Sequence, residues 1–437
     1  MTRWQVWVLI LVFKIPGYGA FSQEYEKNLP PENAQIRYRA SEIPDRILLT
    51  ISSADAKQTT VTWRVGSPSD KGSNKGLLEI SPKGKTVTFY KNPVRLQAIS
   101  SDFTTFMKER VIYHKVILKD LIEDQPYVYR VGNGKIWSEW FDLAPIKAKE
   151  KNTFKFIYLG DAQNDLYPLF SRVIRSANQR APDAAFYLHA GDLINHSQND
   201  YEWAEWFAAG SWVLSTVPQM AIPGNHEYVK NEEGDKSGIS PYWDAQFNYP
   251  ENSPEGMNDR AYYFDYEHAR IICLDSNVDL ELQADWLRKV LEDSRQEWHI
   301  VLFHHPVISG AEGRMNEGVL KTWKPILDEY KVDMVLQGHD HIYGRGNNVS
   351  SGLGLWDEHS GTVYVVSVAG RKMYTISDHP WMDKKAANLQ TYQVISIDKD
   401  QLFYKAYSLD GSLFDAFTLI KQKGSINQLV EQEIEKP

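Results

Sequence analysis

Five short apolar segments between residues 154 and 336 share one pattern, in which each segment is followed by Asp, Asn or His, in most cases beside Gly or Pro. The segments are residues 154–159, 185–190, 217–222, 299–303 and 332–336. Runs of this length, rich in β-branched and aromatic residues, predict buried β-strands. A single Gly-Asp or Gly-Asn pair would indicate no more than a turn. Because polar sites collect at the carboxyl ends of strands in such sheets, the ordered set of five predicts one shared pocket.

Side chains of the types that bind metal ions occupy the positions after these strands. They are Asp161 and Gln163, Asp192 and Asn195, Asn225 and His226, His304 and His305, and His339 and His341. The last pair is separated by one residue on a tight turn. Two imidazoles placed in this way can each address one of two adjacent ions.

The motif series GD, GD, GNHE, H-x-P and GHDH resembles the calcineurin-like metallophosphoesterases, most closely the purple-acid-phosphatase branch. The resemblance implies a catalytic domain of two packed mixed sheets flanked by helices, preceded by a small β-sandwich. It also implies a metal-dependent phosphoesterase, acting on a small phosphate-ester substrate as an acid-phosphatase-like phosphomonoesterase. Hydrolysis by a metal-bound hydroxide at a binuclear centre is the expected chemistry, because two ions about 3.5–4 Å apart clamp phosphoryl oxygens and acidify water.

The resemblance also implies the ligands of each ion. Asp192 would bridge both ions, and Asp161 and His341 would complete the first site. The second ion would be bound by Asp192 together with Asn225, His304 and His339. Oxygen donors mixed with imidazoles suit Fe, Mn or Zn, and the sequence does not choose among them.

Two positions depart from the family pattern. Asn195 stands where the purple enzymes have the tyrosine that binds ferric iron, so we expect no tyrosinate-to-iron absorption band. Gln163 stands where many relatives have a ligand histidine. It is a weaker, neutral oxygen donor, and either direct ligation or a supporting hydrogen bond is open to it.

His226 follows the predicted ligand Asn225 and is expected to face the phosphate. Its ordinary pKa lies close to working pH, so it can donate a proton to the leaving alkoxide. The resemblance suggests that Asn195 orients its ring, and the alternative is that His226 only stabilises phosphate charge. His305, His196 and Arg345 are candidate phosphate contacts, although each is also compatible with a structural or solvent-facing role.

Residues 41–145 predict an all-β module, which resembles the fibronectin type III-like domain of plant purple acid phosphatases. Its predicted strands are residues 47–51, 59–64, 87–90, 111–118 and 127–131. In residues 59–64, Thr and Arg alternate with Val and Trp, the period of two that a half-buried strand requires. The module is expected to frame the mouth of the site, and carbohydrate binding by its tryptophans is the alternative.

The catalytic domain is predicted over residues 152–420. Helical stretches at 169–179 and 280–293 alternate with the strands, which indicates an α/β architecture. Antiparallel strands are expected at 362–368, 391–397 and 401–406. The aromatic-rich segment 201–212 is interpreted as a packed helix, with a pocket wall as the alternative. Residues 421–437 are polar and predict a tail that is a loose helix or disordered.

Residues 1–22 have the pattern of a signal peptide: Arg3, an apolar stretch of about ten residues that is too short to span a bilayer, and small residues before Gln23. An uncleaved anchor is the alternative. We therefore expect an exported protein, secreted or periplasmic. The single cysteine, Cys273, excludes an intrachain disulfide. The net charge of −9 is modest and unclustered, which argues against a nucleic-acid surface.

Two other functions remain open at this stage. A phosphodiesterase would need the same metal ligands. A non-catalytic exported binding protein that keeps a relic metal site would also retain the motifs.

Overall fold

A computed structural model describes residues 37–66, 75–144, 153–347, 361–422 and 424–434. The predicted signal peptide, residues 1–22, lies outside the described residues. Within the described ranges, no helix combines the length and the apolar character needed to cross a bilayer.

The N-terminal domain is a sandwich of two four-stranded antiparallel sheets. Its strands are β1 Asp45–Ile51, β2 Thr59–Gly66, β3 Leu77–Pro82, β4 Val94–Gln97, β5 Ile99–Thr104, β6 Arg110–Leu118, β7 Tyr127–Gly132 and β8 Phe141–Leu143. The strand orders are β1-β2-β6-β5 and β4-β3-β7-β8. Alternating apolar side chains, among them Val61, Trp63 and Tyr129, meet between the sheets and are fully buried there. This arrangement gives the core that the period of two predicted.

The predicted strand at residues 87–90 is wrong. Val87–Lys91 forms a 3₁₀ turn with an exposed Tyr90. Phe89 packs edge-on against Trp140, with ring centroids 5.4 Å apart. Phe89 thus belongs to an aromatic cluster with Tyr90 and Trp140, and β3 pairs with β4 and β7 instead of this segment.

The C-terminal domain supplies the sixteen other strands that the structure describes. They are β9 Thr153–Leu159, β10 Tyr187–His189, β11 Gln219–Ala221, β12 Tyr228–Lys230, β13 Lys236–Ile239, β14 Tyr262–Tyr266, β15 Ala269–Cys273, β16 Trp298–Leu302, β17 Met334–Gln337, β18 Tyr343–Asn347, β19 Val363–Val366, β20 Lys384–Ala386, β21 Thr391–Asp398, β22 Gln401–Ser408, β23 Leu413–Ile420 and β24 Gln428–Glu431. They form two seven-stranded mixed sheets, β11-β10-β9-β21-β22-β23-β24 and β14-β15-β16-β17-β19-β18-β20, and the hairpin β12-β13.

Within the described ranges, seven α-helices accompany these sheets. They are α1 Ser171–Arg180, α2 Asp200–Gly210, α3 Trp212–Thr216, α4 Pro241–Gln246, α5 Leu280–Glu292, α6 Glu317–Thr322 and α7 Lys324–Glu329. A π-helical turn, Leu166–Phe170, leads into α1. Helix α5 buries one apolar stripe, Leu287, Val290 and Leu291, against the second sheet. The aromatic residues Trp203 and Trp206 of α2 are fully buried in the same core as the first sheet, which confirms the packing interpretation.

The strand directions bring the predicted ligand segments to one place. Strands β9, β10 and β11 run parallel at one edge of the first sheet. Strands β15, β16, β17 and β19 run parallel in the second sheet. The two sheets share one apolar core, and Asp161 makes a bridge to Val368 just beyond β19. The predicted architecture of two packed mixed sheets flanked by helices is confirmed.

The C-terminal segment is more ordered than predicted. Strand β24 pairs antiparallel with β23 and extends the first sheet. Its residue Glu431 accepts hydrogen bonds from the Arg345 guanidinium, which is also paired with the buried Asp415. The prediction of a loose tail is wrong for this strand, because its polar residues have partners in the domain.

Ion pairs and hydrogen bonds join the two domains. At the start of α2, the Asp200 carboxylate lies 2.8 Å from Arg46 and 3.3 Å from Arg64, two buried arginines of the N-terminal sandwich. Asp45 holds the other side of the Arg64 guanidinium. In addition, the Tyr129 hydroxyl donates to the Ser215 carbonyl of α3 at 2.6 Å. The sandwich is therefore fixed against helices α2 and α3 of the second domain.

Candidate binuclear metal site

The loops after β9, β10, β11, β16 and β17 converge on one cluster of side chains. Three of its residues have left-handed backbone angles: Asp192 with φ 50°, His339 with φ 72° and His341 with φ 48°. Such angles are uncommon for residues other than Gly and are maintained only by the surrounding structure. The turns are tight enough to direct these side chains back over the strand ends.

Asp161, Asp192 and His341 form the first group of donors, with all three ligand atoms within 4.8 Å of one another. Asp161 Oδ2 lies 3.3 Å from His341 Nε2. Asp161 Oδ2 and Gln163 Oε1 are buried, and neither has a hydrogen-bond partner among the described residues. Buried polar atoms normally have partners, so oxygen atoms left in this state beside an imidazole nitrogen fit a bound cation.

The second group surrounds His304. His304 Nε2 lies 3.2 Å from Asn225 Oδ1, 3.1 Å from His339 Nδ1 and 3.4 Å from Asp192 Oδ1. Asp192 therefore contributes one oxygen to this group, and its carboxylate also belongs to the first group. Two imidazole nitrogens that face each other at this distance, with carboxylate and amide oxygens around them, again fit a cation.

Backbone carbonyls fix the orientation of two rings. His304 Nδ1 lies 2.8 Å from the Ala190 carbonyl, and His341 Nδ1 lies 3.0 Å from the Lys372 carbonyl. Each Nδ1–H donates to its carbonyl, which leaves Nε2 as the lone-pair nitrogen that faces the cluster. Hydrogen bonds of this kind commonly orient histidine ligands.

Burial and mutual charge shift the titration of the cluster. Burial raises the pKa of Asp161, helped by the charge of Asp192. Burial also acts to raise the pKa of Asp192, but the His304 and His226 charges outweigh it and hold that pKa well below its ordinary value. The pKa of His304 is raised to about 9, because the Asp192 and Asp161 carboxylates overcome its burial, so Nε2 becomes the lone-pair nitrogen only when a cation takes the place of its proton. Burial lowers the pKa of both His339 and His341, which favours the neutral imidazole that a metal ion requires.

His305 lies closer to the cluster than a phosphate contact alone would require. Its ligand nitrogen is within 4.8 Å of those of His304 and His339. The Ser276 hydroxyl lies 2.8 Å from Nδ1 and fixes the ring. The sequence predicted a phosphate contact or a structural or solvent-facing role for this residue, and the structure makes it an additional candidate donor at the second group.

His226 lies at the mouth of the cluster, with its side chain 20% exposed and Nε2 3.9 Å from Asp192 Oδ2. Its Nδ1 is 2.6 Å from the backbone carbonyl of Asn195. We expected the side-chain amide of Asn195 to orient this ring, and that prediction is wrong. The backbone carbonyl of Asn195 contacts the ring instead, because the amide is turned towards His196. Burial lowers the pKa of His226, against the opposing charge of Asp192.

Two of the predicted phosphate contacts have other partners. Arg345 is fully buried on β18, where it is paired with Asp415 and Glu431, so the prediction is wrong for this residue. His196 is largely exposed, and its Nδ1 lies 2.6 Å from Glu202. The ring is thus engaged by the protein rather than by the metal cluster.

Glu227 is the residue whose role the sequence did not reveal. It is fully buried, and its carboxylate accepts backbone N–H groups from Gly224 at 2.6 Å, Asp192 at 2.9 Å and Leu193 at 2.8 Å, with a longer contact to Ile194. Burial and the charge of Asp192 raise the pKa of Glu227. All four partners of the Glu227 carboxylate are N–H donors, and a protonated carboxyl group would direct its own O–H at one of them. The loops therefore fit the ionised carboxylate. The available signal was a carboxylate directly after the Asn-His pair.

Two glycines allow the loops to pack closely against the carboxylates of Asp192 and Asp161. A Cβ at Gly224 would lie 2.2 Å from Asp192 Oδ1, and a Cβ at Gly338 would lie 2.2 Å from Asp161 Oδ1. A side chain at either position would collide with a metal-site carboxylate. The glycines of the GNHE and GHDH motifs are therefore required by close packing.

Comparison with known proteins agrees with this geometry. Residues 154–343 match the calcineurin-like phosphoesterase family, and residues 44–144 match the purple acid phosphatase N-terminal domain. The chain is 25% identical over 373 residues to the human acid phosphatase type 7, covering 78% of this chain and 76% of the relative. It is 25% identical to the Fe(3+)-Zn(2+) purple acid phosphatase 12 of Arabidopsis thaliana, covering 76% of this chain and 73% of that protein.

A solved structure has the same fold. The purple acid phosphatase from yellow lupin (Lupinus luteus) seeds superposes with a TM-score of 0.70 at 21% identity, covering 87% of this chain and 75% of that one. The alignment spans both domains of the present chain.

Proposed function

Because this chain belongs to the calcineurin-like phosphoesterase family and has a purple acid phosphatase N-terminal domain, we propose that it is an exported, metal-dependent phosphomonoesterase. Its substrate is a small phosphate ester, and its products are an alcohol and inorganic phosphate. The observation that carries the proposal is the meeting of two donor groups at one carboxylate, Asp192.

We assign the first ion to Asp161, Asp192 and His341, and the second to Asp192, Asn225, His304 and His339. The distances of 3.1–3.4 Å among the facing donor atoms support both sets. Gln163 donates from Nε2 to Asp192 Oδ2 at 2.6 Å, which is a supporting hydrogen bond, and its unpartnered Oε1 remains available to the first ion. The ions are Fe, Mn or Zn. When bound, such a pair neutralises phosphate charge and lowers the pKa of water.

His226 is assigned as the proton donor. In the reaction, a water-derived oxygen forms a bond to phosphorus while the ester P–O bond breaks. A proton passes from His226 Nε2 to the departing oxygen, and the ring regains a proton from solvent. The Asn195 carbonyl at Nδ1 keeps Nε2 directed to the mouth of the cluster. Because burial lowers the pKa of His226, the imidazolium that donates this proton forms at acidic pH.

Three variants test these assignments. Asp192→Asn and His341→Ala should abolish turnover of p-nitrophenyl phosphate and lower bound metal, whereas His226→Ala should slow turnover and spare the metal. Retained activity in Asp192→Asn would reject the mechanism. Parallel assays with bis(p-nitrophenyl) phosphate separate a phosphodiesterase from the proposed monoesterase. A protein that stays inert with added Mn²⁺, Fe or Zn would be the non-catalytic alternative.

Two further features belong to the proposal. Export rests on the signal-peptide pattern of residues 1–22. The absence of a tyrosine at position 195 leads us to expect a colourless protein when iron is bound, measured as the lack of a visible charge-transfer band.

A further inference from the structure

Glu202 is a buried carboxylate in the first turn of α2, beside the candidate site but outside the metal cluster. Its Oε2 accepts the backbone N–H groups of Asn195 and His196, each at 2.7 Å. Its Oε1 contacts His196 Nδ1 at 2.6 Å and Asn199 Nδ2 at 3.1 Å. One carboxylate therefore binds the loop of residues 195–199 back onto the start of the helix that follows it.

The peptide between residues 195 and 196 connects Glu202 to the proposed proton donor. At one end of this peptide, the N–H of His196 donates to Glu202; at the other, the C=O of Asn195 accepts from His226 Nδ1 at 2.6 Å. Hydrogen bonds in such a chain polarise one another. A negative charge on the N–H side makes the carbonyl a stronger acceptor, and the carboxylate also fixes the plane of the peptide.

Neighbouring contacts hold the rest of this loop. The Trp203 indole N–H donates to the Ser197 carbonyl at 3.0 Å, and the Ser240 hydroxyl donates to the same carbonyl at 2.6 Å. These contacts anchor the loop two residues beyond Asn195. Glu202 is the side chain that fixes the peptide to which His226 is bonded.

We propose that Glu202 is a positioning residue for His226, acting through the peptide that joins Asn195 to His196. It holds the His226 ring so that Nδ1 donates to the Asn195 carbonyl and Nε2 faces the departing oxygen. This inference rests on the proposed function, since it assumes that His226 protonates the leaving group.

The test uses the dependence on the leaving group. Proton donation matters for an alkyl phosphate such as glycerol 2-phosphate and little for 2,4-dinitrophenyl phosphate, whose leaving group departs as a stable anion. In the metal-loaded enzyme, Glu202→Gln should lower kcat for glycerol 2-phosphate about 10- to 100-fold and kcat for the dinitrophenyl ester less than about 3-fold. KM and metal content should stay unchanged. Glu202→Asp, which keeps the charge and shortens the reach, should give an intermediate loss with the same selectivity.

Glu205→Gln is the matched control. Glu205 lies on the same helix and is also a buried acid, whose pKa is raised to about 7 by burial and by the charge of Glu202, but among the described residues no hydrogen bond or ion pair joins it to the 195–199 loop. It should leave the ratio of the two substrates unchanged. Adding Glu202→Gln to His226→Ala should cause no further loss, because both changes remove the same proton transfer.

Equal losses on both substrates, or multiplicative losses in the double variant, would overturn the positioning role while leaving the phosphatase proposal intact. If Glu202→Gln does not fold, Glu202→Asp decides the question by the same substrate ratio. A metal-loaded wild-type protein that turns over neither ester would overturn the proposed function itself, and the positioning role with it.

Discussion

The substitution Glu227→Gln tests how the two metal-site loops are held together. In the structure, one carboxylate oxygen accepts from Gly224 and Asp192, and the other accepts from Leu193 at 2.8 Å and Ile194 at 3.4 Å. Glutamine keeps the size of the side chain but replaces one oxygen with an NH₂ group. In either orientation of the amide, its NH₂ group takes the place of an oxygen that accepted two backbone N–H groups, and these two groups then face a donor.

The expected cost follows from this count. A hydrogen bond to a charged group contributes about 1.5–3 kcal/mol. The less costly orientation of the amide gives up the bond to Leu193 and the longer contact to Ile194, so the loss is at least about 1.5–3 kcal/mol, concentrated in the loop that carries Asp192. Much of this would be relieved by separation of the loops, which displaces the shared carboxylate. A displacement of about 1 Å commonly lowers turnover about 100-fold, and lost support of a ligand weakens metal affinity about 10- to 100-fold.

Three measurements on one preparation check this prediction: metal content by elemental analysis, turnover of p-nitrophenyl phosphate, and the thermal unfolding midpoint. The control is again Glu205→Gln, a buried carboxylate whose loss should leave metal content and turnover near wild type. Wild-type metal content and turnover in Glu227→Gln would show that the backbone contacts of Glu227 do not hold the site, and the reasoning would be refuted.

Three further predictions concern stability and pH. Arg345→Met should lower the free energy of unfolding by about 3–5 kcal/mol, because it leaves the buried Asp415 carboxylate without its cation. The kcat per folded molecule should stay unchanged. Denaturant titration measures the first quantity, and an activity assay measures the second. Asp200→Asn should destabilise the domain interface by a similar amount, since it removes the buried charge that pairs with Arg46 at 2.8 Å and with Arg64 at 3.3 Å, and limited proteolysis should then release the N-terminal domain more rapidly. Burial lowers the pKa of His114 to about 4, so between pH 6.5 and 4 only the unfolded chain binds a proton at this residue. The contribution of His114 to the free energy of unfolding is therefore fully present above pH 6.5 and falls by about 3 kcal/mol as the pH is lowered to 4. His114→Gln should lose stability less steeply with acid, which unfolding at several pH values measures.

Eight of the sixteen strands described in the catalytic domain were predicted from the sequence, because their signal is local. Apolar runs bounded by Gly and Pro predicted β9, β16 and β17, and the structure confirms these strands to within one or two residues. Where the signal depended on partners elsewhere, prediction failed. Residues 87–90 have a strand-like sequence, but Phe89 packs on Trp140. Strand β24 lies at a sheet edge, and its Glu431 pairs with Arg345.

The candidate site shows the same division. The types of ligand and their order along the chain were visible as residues that follow strands. The roles of Glu202 and Glu227 were not, since each depends on backbone N–H groups of a loop that only the fold brings within reach. Arg345 was misassigned for a related reason: its closeness in sequence to the GHDH motif does not reveal that β18 turns its side chain into the core.

The amino-acid sequence by itself determined the chemistry that this protein has at its disposal: which donors follow which strands, and the family to which that order belongs. The tertiary structure alone decided which atoms face one another. It made the Asn195 carbonyl, rather than its amide, the partner of His226 and brought His305 beside the other imidazoles. The physical reason is that strand periodicity is written in neighbouring residues, whereas distances between loops are fixed by the packing of two sheets whose strands are far apart along the chain.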